Sequence, residues 1–402
     1  MKKKSILIAS PIHQKHEILE QFLLSLQQLN LTSFQVDFLF VDDNDEYLSR
    51  KLLNEFKVGN SSVEIVTANE LTEQELSFHK NETTHQWDEN SISRVAQFKN
   101  YMIKSAINEN YDFLFLIDSD LLLHPQTLVQ LVNSKKDIIS NIFWTQWQPG
   151  SQELPQVWEF DHYSQYKFQR GIKLSKQEIV SRTKEFLNKL KTPGVYEVGG
   201  LGACTLISRT ALCAGVNFNE VRNISFWGED RHFCIRAVVL GFSLCVDTHY
   251  PAFHIYRMSD LERVQYYKES NKRRDAVLLE HEILEKTKIA IESLGSYHYT
   301  HGYKNSWEEY FTREMVVLLH EEHLTNKDNY IADRVEVTAQ VTGCAVHKAD
   351  AGNQTIVTSF ILTNSGNSQA ADFFDKYFCY ATFLAQENDW KIAAFDIVEK
   401  LN

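Results

Sequence analysis

A chain of 402 residues is long enough for two domains, with room for a third. Its 43% hydrophobic and 23% charged residues are ordinary for globular protein, and a net charge of −12 excludes a general nucleic-acid binder, which needs a basic face. No apolar run approaches the roughly 20 residues that span a bilayer, so no transmembrane segment is expected.

The start, MKKKSILIASPI, has a basic tip and a short apolar segment. That segment is too short for a signal peptide and has no small-residue cleavage site, so Ser5 to Ser10 is expected to be a first strand, turning at Pro11. His16 to Leu29 carries apolar residues at helical spacing. Val36 to Val41 reads as a second strand ending in Asp42-Asp43-Asn44-Asp45, Glu46 to Phe56 as a helix and Val63 to Thr67 as a third strand. This alternation opens a doubly wound sheet. Leu71 to Asn90, with His79, His85 and Trp87, is polar and irregular and is expected to be a loop. Ser93 to Asn108 is a helix whose Arg94, Lys99 and Lys104 face either phosphate or water.

Phe113 to Ile117 is an unbroken apolar run, as in a strand buried on both faces, and it stops at Asp118-Ser119-Asp120. Two carboxylates at i and i+2 point the same way from extended backbone and would share one hard divalent cation. Open α/β sheets bind ligands at the carboxyl ends of their strands; the alternative is a polar turn that merely closes a core strand. Pro125 is expected in the first turn of a helix reaching Val132, followed by a strand over Asp137 to Phe143. Trp144 to Lys191 concentrates Trp147, Trp158, Phe160, Tyr163, Tyr166 and Phe168 among amide residues, either a sugar-binding surface or an insertion packed on the main domain. Ser175 to Leu190 reads as an amphipathic helix.

Gly199 to Arg209 (GGLGACTLISR) brings three glycines into a strand-like run, where Gly200 and Gly202 would let the backbone approach a ligand. It has neither Walker nor Rossmann spacing, so ATP and NAD are not implied. Phe226-Trp227-Gly228-Glu229-Asp230 precedes a helix from Arg231 to Leu240 with Gly241 after its end. Glu229 and Asp230 suit either a helix N-terminus or a general base. Phe242 to Val246 is a strand running into Asp247-Thr248-His249, and Phe253-His254-Ile255-Tyr256-Arg257 closes the unit.

The ordered set SILIASPI, FLFVDDND, RVAQFKNYMIKSA, FLFLIDSD, VGGLGACTLISR, FWGEDRHFCIRA and PAFHIYR resembles the GT-A glycosyltransferases of the family-two-like group, over roughly residues 5 to 257. The resemblance implies an α/β fold: a doubly wound mixed sheet with a Rossmann-like nucleotide-binding half and an acceptor half, spanning 1–257. It implies a metal site of Asp118, Asp120 and His254 holding Mn²⁺ or Mg²⁺, with His249 the competing imidazole. Asp43 would contact the base or ribose and Pro11 would border the nucleoside. Lys99 and Asn100 stand where relatives carry Arg-Asn near the donor phosphates, and Ser119, Gly200 and Gly202 would line the nucleotide-sugar. Asp230, or failing it Glu229, would be the general base of an inverting transfer, while His232 is expected to be structural. The donor would be UDP- or GDP-linked and the acceptor a glycan, lipid or protein. The rival readings are a nucleotidyltransferase acting on a sugar phosphate, disfavoured by the first loop ASPIHQKHE, and a catalytically inactive binding module.

Six cysteines without a C-x-x-C pair are expected to be free thiols of a reducing cytoplasm. Residues 258–297 read as a helical linker. Beyond it come a helix over Trp307 to His323 and strands over Arg334 to Val346, Gln354 to Thr363, Tyr377 to Ala385 and Trp390 to Ile397, with a turn at Asn364-Ser365-Gly366-Asn367. The end, YFCYATFLAQENDWKIAAFDIVEKLN, resembles the closing hairpin of the nuclear-transport-factor-two-like superfamily. That resemblance implies a small, cone-shaped α+β domain over 298–402 and a possible route to a homodimer or to acceptor docking.

Overall fold

The computed structural model describes residues 3–72, 79–80, 85–86, 89–169, 171–225, 228–303, 305–350, 352–386 and 389–401, the side chains of 79–80 and 85–86 excepted. Most of the expected loop between Leu71 and Asn90, including Trp87 and the side chains of His79 and His85, lies outside the described residues, as do Phe226 and Trp227.

The chain divides into two units, Met1–Asn271 and Lys272–Asn402. The first runs β1 (Lys4–Ile12), α1 (His16–Gln27), β2 (Phe34–Asp42), α2 (Tyr47–Glu55), β3 (Val63–Thr67), β4 (His79–Lys80), β5 (His85–Gln86) and α3 (Glu89–Asn108). It continues through β6 (Phe113–Leu116), β7 (Leu121–Leu122), α4 (Thr127–Asn133), β8 (Ile138–Thr145), β9 (Leu154–Pro155) and α5 (Lys176–Lys189). Then come β10 (Val195–Glu197), β11 (Thr205–Ser208), α6 (Arg209–Cys213), α7 (Glu229–Val239) and β12 (Cys245–His254). Helix α8 (Val264–Gly295) begins in this unit and ends in the next.

The main sheet has the order β10-β12-β8-β11-β6-β1-β2-β3. Strands β6, β1, β2 and β3 are parallel, β11 is antiparallel to both β6 and β8, and β8 and β12 are parallel again. Alternation along β1 explains the layers. Ile6 and Ile8 face a core closed by Leu19 and Phe22 of α1, Leu53 of α2 and Leu128 of α4. Leu7 and Ala9 face the opposite core, closed by Phe98 and Met102 of α3 and Phe233 and Ala237 of α7. A strand apolar on both faces requires such a cover on each side. The expected mixed α/β sheet is the one observed.

Several local expectations change. Pro11 lies within β1, opposite Val41, and not in a turn. It stands beyond the last register pair with β6, Ala9 with Leu116, so its missing N–H breaks no ladder on that side. Pro125 precedes α4 rather than lying in its first turn, and α7 begins at Glu229, which puts both acidic residues inside it. Gly241 does follow the helix, at φ +91°. The two segments expected around Asp247 and Phe253 are one strand, β12, which absorbs a register shift between Asp247 and Ala252.

The second unit holds β13 (Tyr297–His298), β14 (Gly302–Tyr303), α9 (Arg313–Ala332), β15 (Glu336–Asp350), β16 (Thr355–Asn367), β17 (Asp372–Gln386) and β18 (Asp389–Leu401). Its antiparallel sheet has the order β14-β13-β15-β16-β17-β18 around a core of Phe360, Cys379, Phe383 and Ile392 with Ile283 and Ile291 of α8. Trp307, expected on a helix, is buried in that core, and α9 starts only after the cap at Thr312, whose hydroxyl accepts the Met315 N–H. The expected turn at Asn364–Asn367 is inside β16, paired with both neighbours. A Cβ on Gly366 would stand 1.9 Å from the Glu336 carbonyl oxygen, so this glycine serves close strand approach. Among the described residues no helix is long and apolar enough to cross a membrane.

Candidate active site

The acidic triplet is set by the end of β6. The Ile117 N–H still donates to the Ala9 carbonyl, and the chain then turns, with Leu121 N–H donating to the Asp118 carbonyl at 3.3 Å. It re-enters the sheet as β7, two residues that pair antiparallel with the end of β12, Leu121 opposite His254 and Leu122 opposite Phe253. The Ile255 N–H donates to the Asp120 carbonyl at 2.9 Å. This ladder brings the two sequence-distant residues together, with His254 Nε2 3.4 Å from Asp120 Oδ2. The other ring nitrogen, Nδ1, lies 2.8 Å from the hydroxyl of Thr145, the buried last residue of β8, and the Phe143 ring meets the imidazole nearly edge-on. His249 is engaged elsewhere, 3.0 Å from Asp247 Oδ2 and 3.1 Å from Gln130 Nε2.

A second charged group adjoins the first. Lys99, on α3, is buried, and its Nζ lies 2.8 Å from Glu229 Oε1 and 3.1 Å from Asp230 Oδ1 in the first turn of α7. Burial alone would pull this ammonium down, but Asp230, Glu229 and Asp118 outweigh it and hold it well above its ordinary value. Burial pushes Asp118 up to about 6; Lys99 and His254 oppose the rise, and Asp120 and Glu229 add to it. Burial likewise raises Asp230, with Glu229 and Asp118 reinforcing the effect against Lys99. Pro11, Lys99, Asp118, Gly202, Phe218 and Asp230 line one small cavity.

The remaining expected residues divide. A Cβ on Gly202 would lie 3.1 Å from Asp230 Oδ2, so this glycine leaves room beside the carboxylate. Gly200 makes room for an indole instead: its Cβ would stand 1.9 Å from Trp158 Cε2. Ser119 is buried. Asp43 is held by Arg94 through two bonds, Nη2 to Oδ1 at 2.5 Å and Nε to Oδ2 at 3.1 Å. Asn100 spends its amide on the 217–219 segment, accepting from the Phe218 N–H and donating to Asn219 Oδ1, both at 2.8 Å. His232 is buried, and its Nδ1 accepts the Val221 N–H.

Among the described residues no three His, Cys, Asp or Glu side chains converge as a metal-holding group. Of the expected trio, Asp120 and His254 form the close pair. A carboxylate oxygen and an imidazole nitrogen, with the second ring nitrogen held by a hydroxyl, are a donor set that fits a divalent ion completed by substrate oxygens. Sequence reasoning missed Thr145, the Arg94–Asp43 pairing and the placement of Tyr163 beside Glu229 and Asp230. A lone Thr or Tyr carries no motif; only the sheet register and the turn that holds it give it a role.

No curated protein matches the chain. Among solved structures it is similar to S. aureus TarS 1-349, at 13% identity over 62% of this chain and 60% of that one, with a TM-score of 0.37. It is also similar to the mannosyltransferase PcManGT from Pyrobaculum calidifontis in complex with GDP-Man and Mn²⁺, at 11% over 61% and 57%, with a TM-score of 0.35. A third is GalNAc-T7 with UDP, GalNAc and Mn²⁺, at 13% over 63% and 44%, with a TM-score of 0.39. The chain therefore covers 60% or less of the length of each of these three proteins. Residues 1–181 match the Anp1 family model, which spans less than half of the chain.

Proposed function

We propose that the chain transfers a sugar from a UDP- or GDP-linked donor to an acceptor hydroxyl, with a divalent ion at Asp120 and His254 and with Asp230 as general base of an inverting reaction. The observation that carries the reading is the meeting of Asp120 and His254 at 3.4 Å beside the Lys99-held carboxylates. Mn²⁺ or Mg²⁺ suits the oxygen donors, and the imidazole favours Mn²⁺. When bound, the ion would neutralise charge growing on the diphosphate leaving group.

The chain's own residues would do the rest. Asp118 and Ser119 border the donor, with Pro11 and Asp43 towards its nucleoside. Thr145 holds the imidazole so that Nε2 faces Asp120. Asp230 accepts the proton of the acceptor hydroxyl as that oxygen attacks the anomeric carbon. A carboxylate raised towards neutral pH is a stronger base than an ordinary one, and such a group adds roughly 10²–10⁴-fold to a rate. Lys99 serves the two carboxylates in place of the donor phosphates.

Thermal unfolding of the full chain tests the donor assignment. UDP or GDP should raise the midpoint only with Mn²⁺ or Mg²⁺ present, and Asp120→Asn should abolish the rise. Stabilisation by ATP or CTP alone would overturn the proposal in favour of a nucleotidyltransferase.

A further inference from the structure

One stretch of the first unit carries a charge opposite to that of the whole chain. We infer that the exposed side of α5, with the segment leading into it, docks on an anionic membrane surface. The inference goes beyond the transfer reading and does not depend on it.

From Lys167 to Lys191 the sequence places eight Lys and Arg against two Glu, in a chain whose net charge is −12. Arg170 lies outside the described residues, and the other seven basic residues are exposed. Salt screens surface charges beyond about 8–10 Å, so a local basic patch acts on a surface it touches whatever the rest of the chain carries. Helix α5 sorts its residues by side. Phe186, Leu187 and Leu190 turn into the core that also holds Phe98 and Phe233. Lys176, Val180 and Lys184 follow at four-residue steps and form one exposed stripe. Glu178 and Glu185 are seven residues apart and lie about 150° round the helix from that stripe. Glu178 is committed to a capping box with Ser175. Arg182 Nη1 donates to the Lys167 carbonyl at 2.9 Å, which fastens the leading segment to the same helix. Apolar side chains stand among these charges: Ile172 is 53% exposed and Val180 67%.

The mixture chooses the occupant. A soluble polyanion would engage the lysines alone and gain nothing from Ile172 or Val180. A bilayer with anionic headgroups engages both, since ammonium groups meet phosphate while short apolar side chains enter the headgroup boundary. Lysine suits such a boundary, because its stem lies along apolar surface while its charge stays at the interface. The 14 residues of α5 span about 21 Å and are charged, so the helix lies on the surface and does not cross it.

Flotation of the full chain with vesicles tests this, using phosphatidylcholine alone and phosphatidylcholine with a quarter of phosphatidylglycerol, at about 0.1 M and about 0.5 M NaCl. The chain should float with the mixed vesicles at low salt, stay behind with phosphatidylcholine alone and be released at high salt. Lys176→Gln together with Lys184→Gln should weaken the partition about 25-fold, about fivefold for each charge. The same change at the exposed Lys51 and Lys57, outside the patch, should leave it within about twofold. Val180→Ser should weaken partition several-fold while leaving retention on heparin unchanged. All these positions are exposed, so the variants keep the fold. No partition into the anionic vesicles, or equal loss from the Lys51 and Lys57 pair, would overturn the inference. So would an effect of the stripe lysines with none of Val180→Ser, the outcome expected of a general polyanion site.

Discussion

Asp230 sits between opposing influences: burial, Glu229 and Asp118 favour its neutral form, and Lys99 favours its charged form. Because its folded value is raised, it holds its proton to a higher pH than a free carboxylate, and turnover should climb as pH rises through that value. Glu229→Gln removes one negative neighbour, lowers the value and should shift the acid limb of the rate profile to lower pH. A limb that stays in place would remove Asp230 as base. The sequence already singled out Asp118, Asp120, Glu229, Asp230 and His254, because each has a bland use alone but together they stand in the order of one recognisable set of motifs. It left Lys99 between phosphate and water, with a donor-phosphate place implied only by the resemblance, and its ion pairs with Glu229 and Asp230 were illegible, since nothing in a helical spacing says that α7 will face α3 across one core. Thr145 was illegible for the same reason: a threonine closing an apolar strand is common, and its role exists only because β12 lies next to β8.

Gly200 illustrates the element scale. The run GGLGA read as backbone kept clear for a ligand, whereas at Gly200 the space is filled by the Trp158 indole. Gly200→Ala should therefore cost about 1–3 kcal/mol, the usual result of overpacking a buried site, and should alter the tryptophan fluorescence. Urea unfolding measures the first, and a variant as stable as wild type would mean that the indole moves aside freely. Long elements with a clear period, such as α1, β2, β3 and α3, were legible to within a few residues. The two-residue β7 was not, because two apolar residues have no period, and its existence depends on a partner that arrives far later in the chain. Polar residues at Asn364–Asn367 mimicked a turn while pairing on both sides.

At the scale of the whole molecule, the end of the first unit lies beyond the last recognisable motif. Val264 is buried with Ile18, Leu122 and Ile255, and the Tyr267 hydroxyl lies 3.1 Å from the Leu122 carbonyl and 3.2 Å from that of Pro251. A chain ending at residue 257 loses both and should unfold at a lower temperature than one ending at 271. Removing the Val264 side chain alone forfeits about 1.5–3 kcal/mol of apolar burial. Equal midpoints in calorimetry would show that the motif boundary is also the folding boundary. Composition announced two domains and an α/β beginning, but a boundary inside a continuous helix, α8, leaves no mark in sequence.

The two-rung ladder between β7 and β12 has a consequence during synthesis. Asp120 leaves the ribosome long before His254 exists, so a nascent chain stopped short of β12 would carry the first carboxylates without the imidazole that meets them. Slippage of β12 by a single residue on reaching its neighbours would turn that ring to the opposite face. If the proposed ion binds there, its binding would report on whether translation and pairing of β12, the last strand of the first sheet, were both complete.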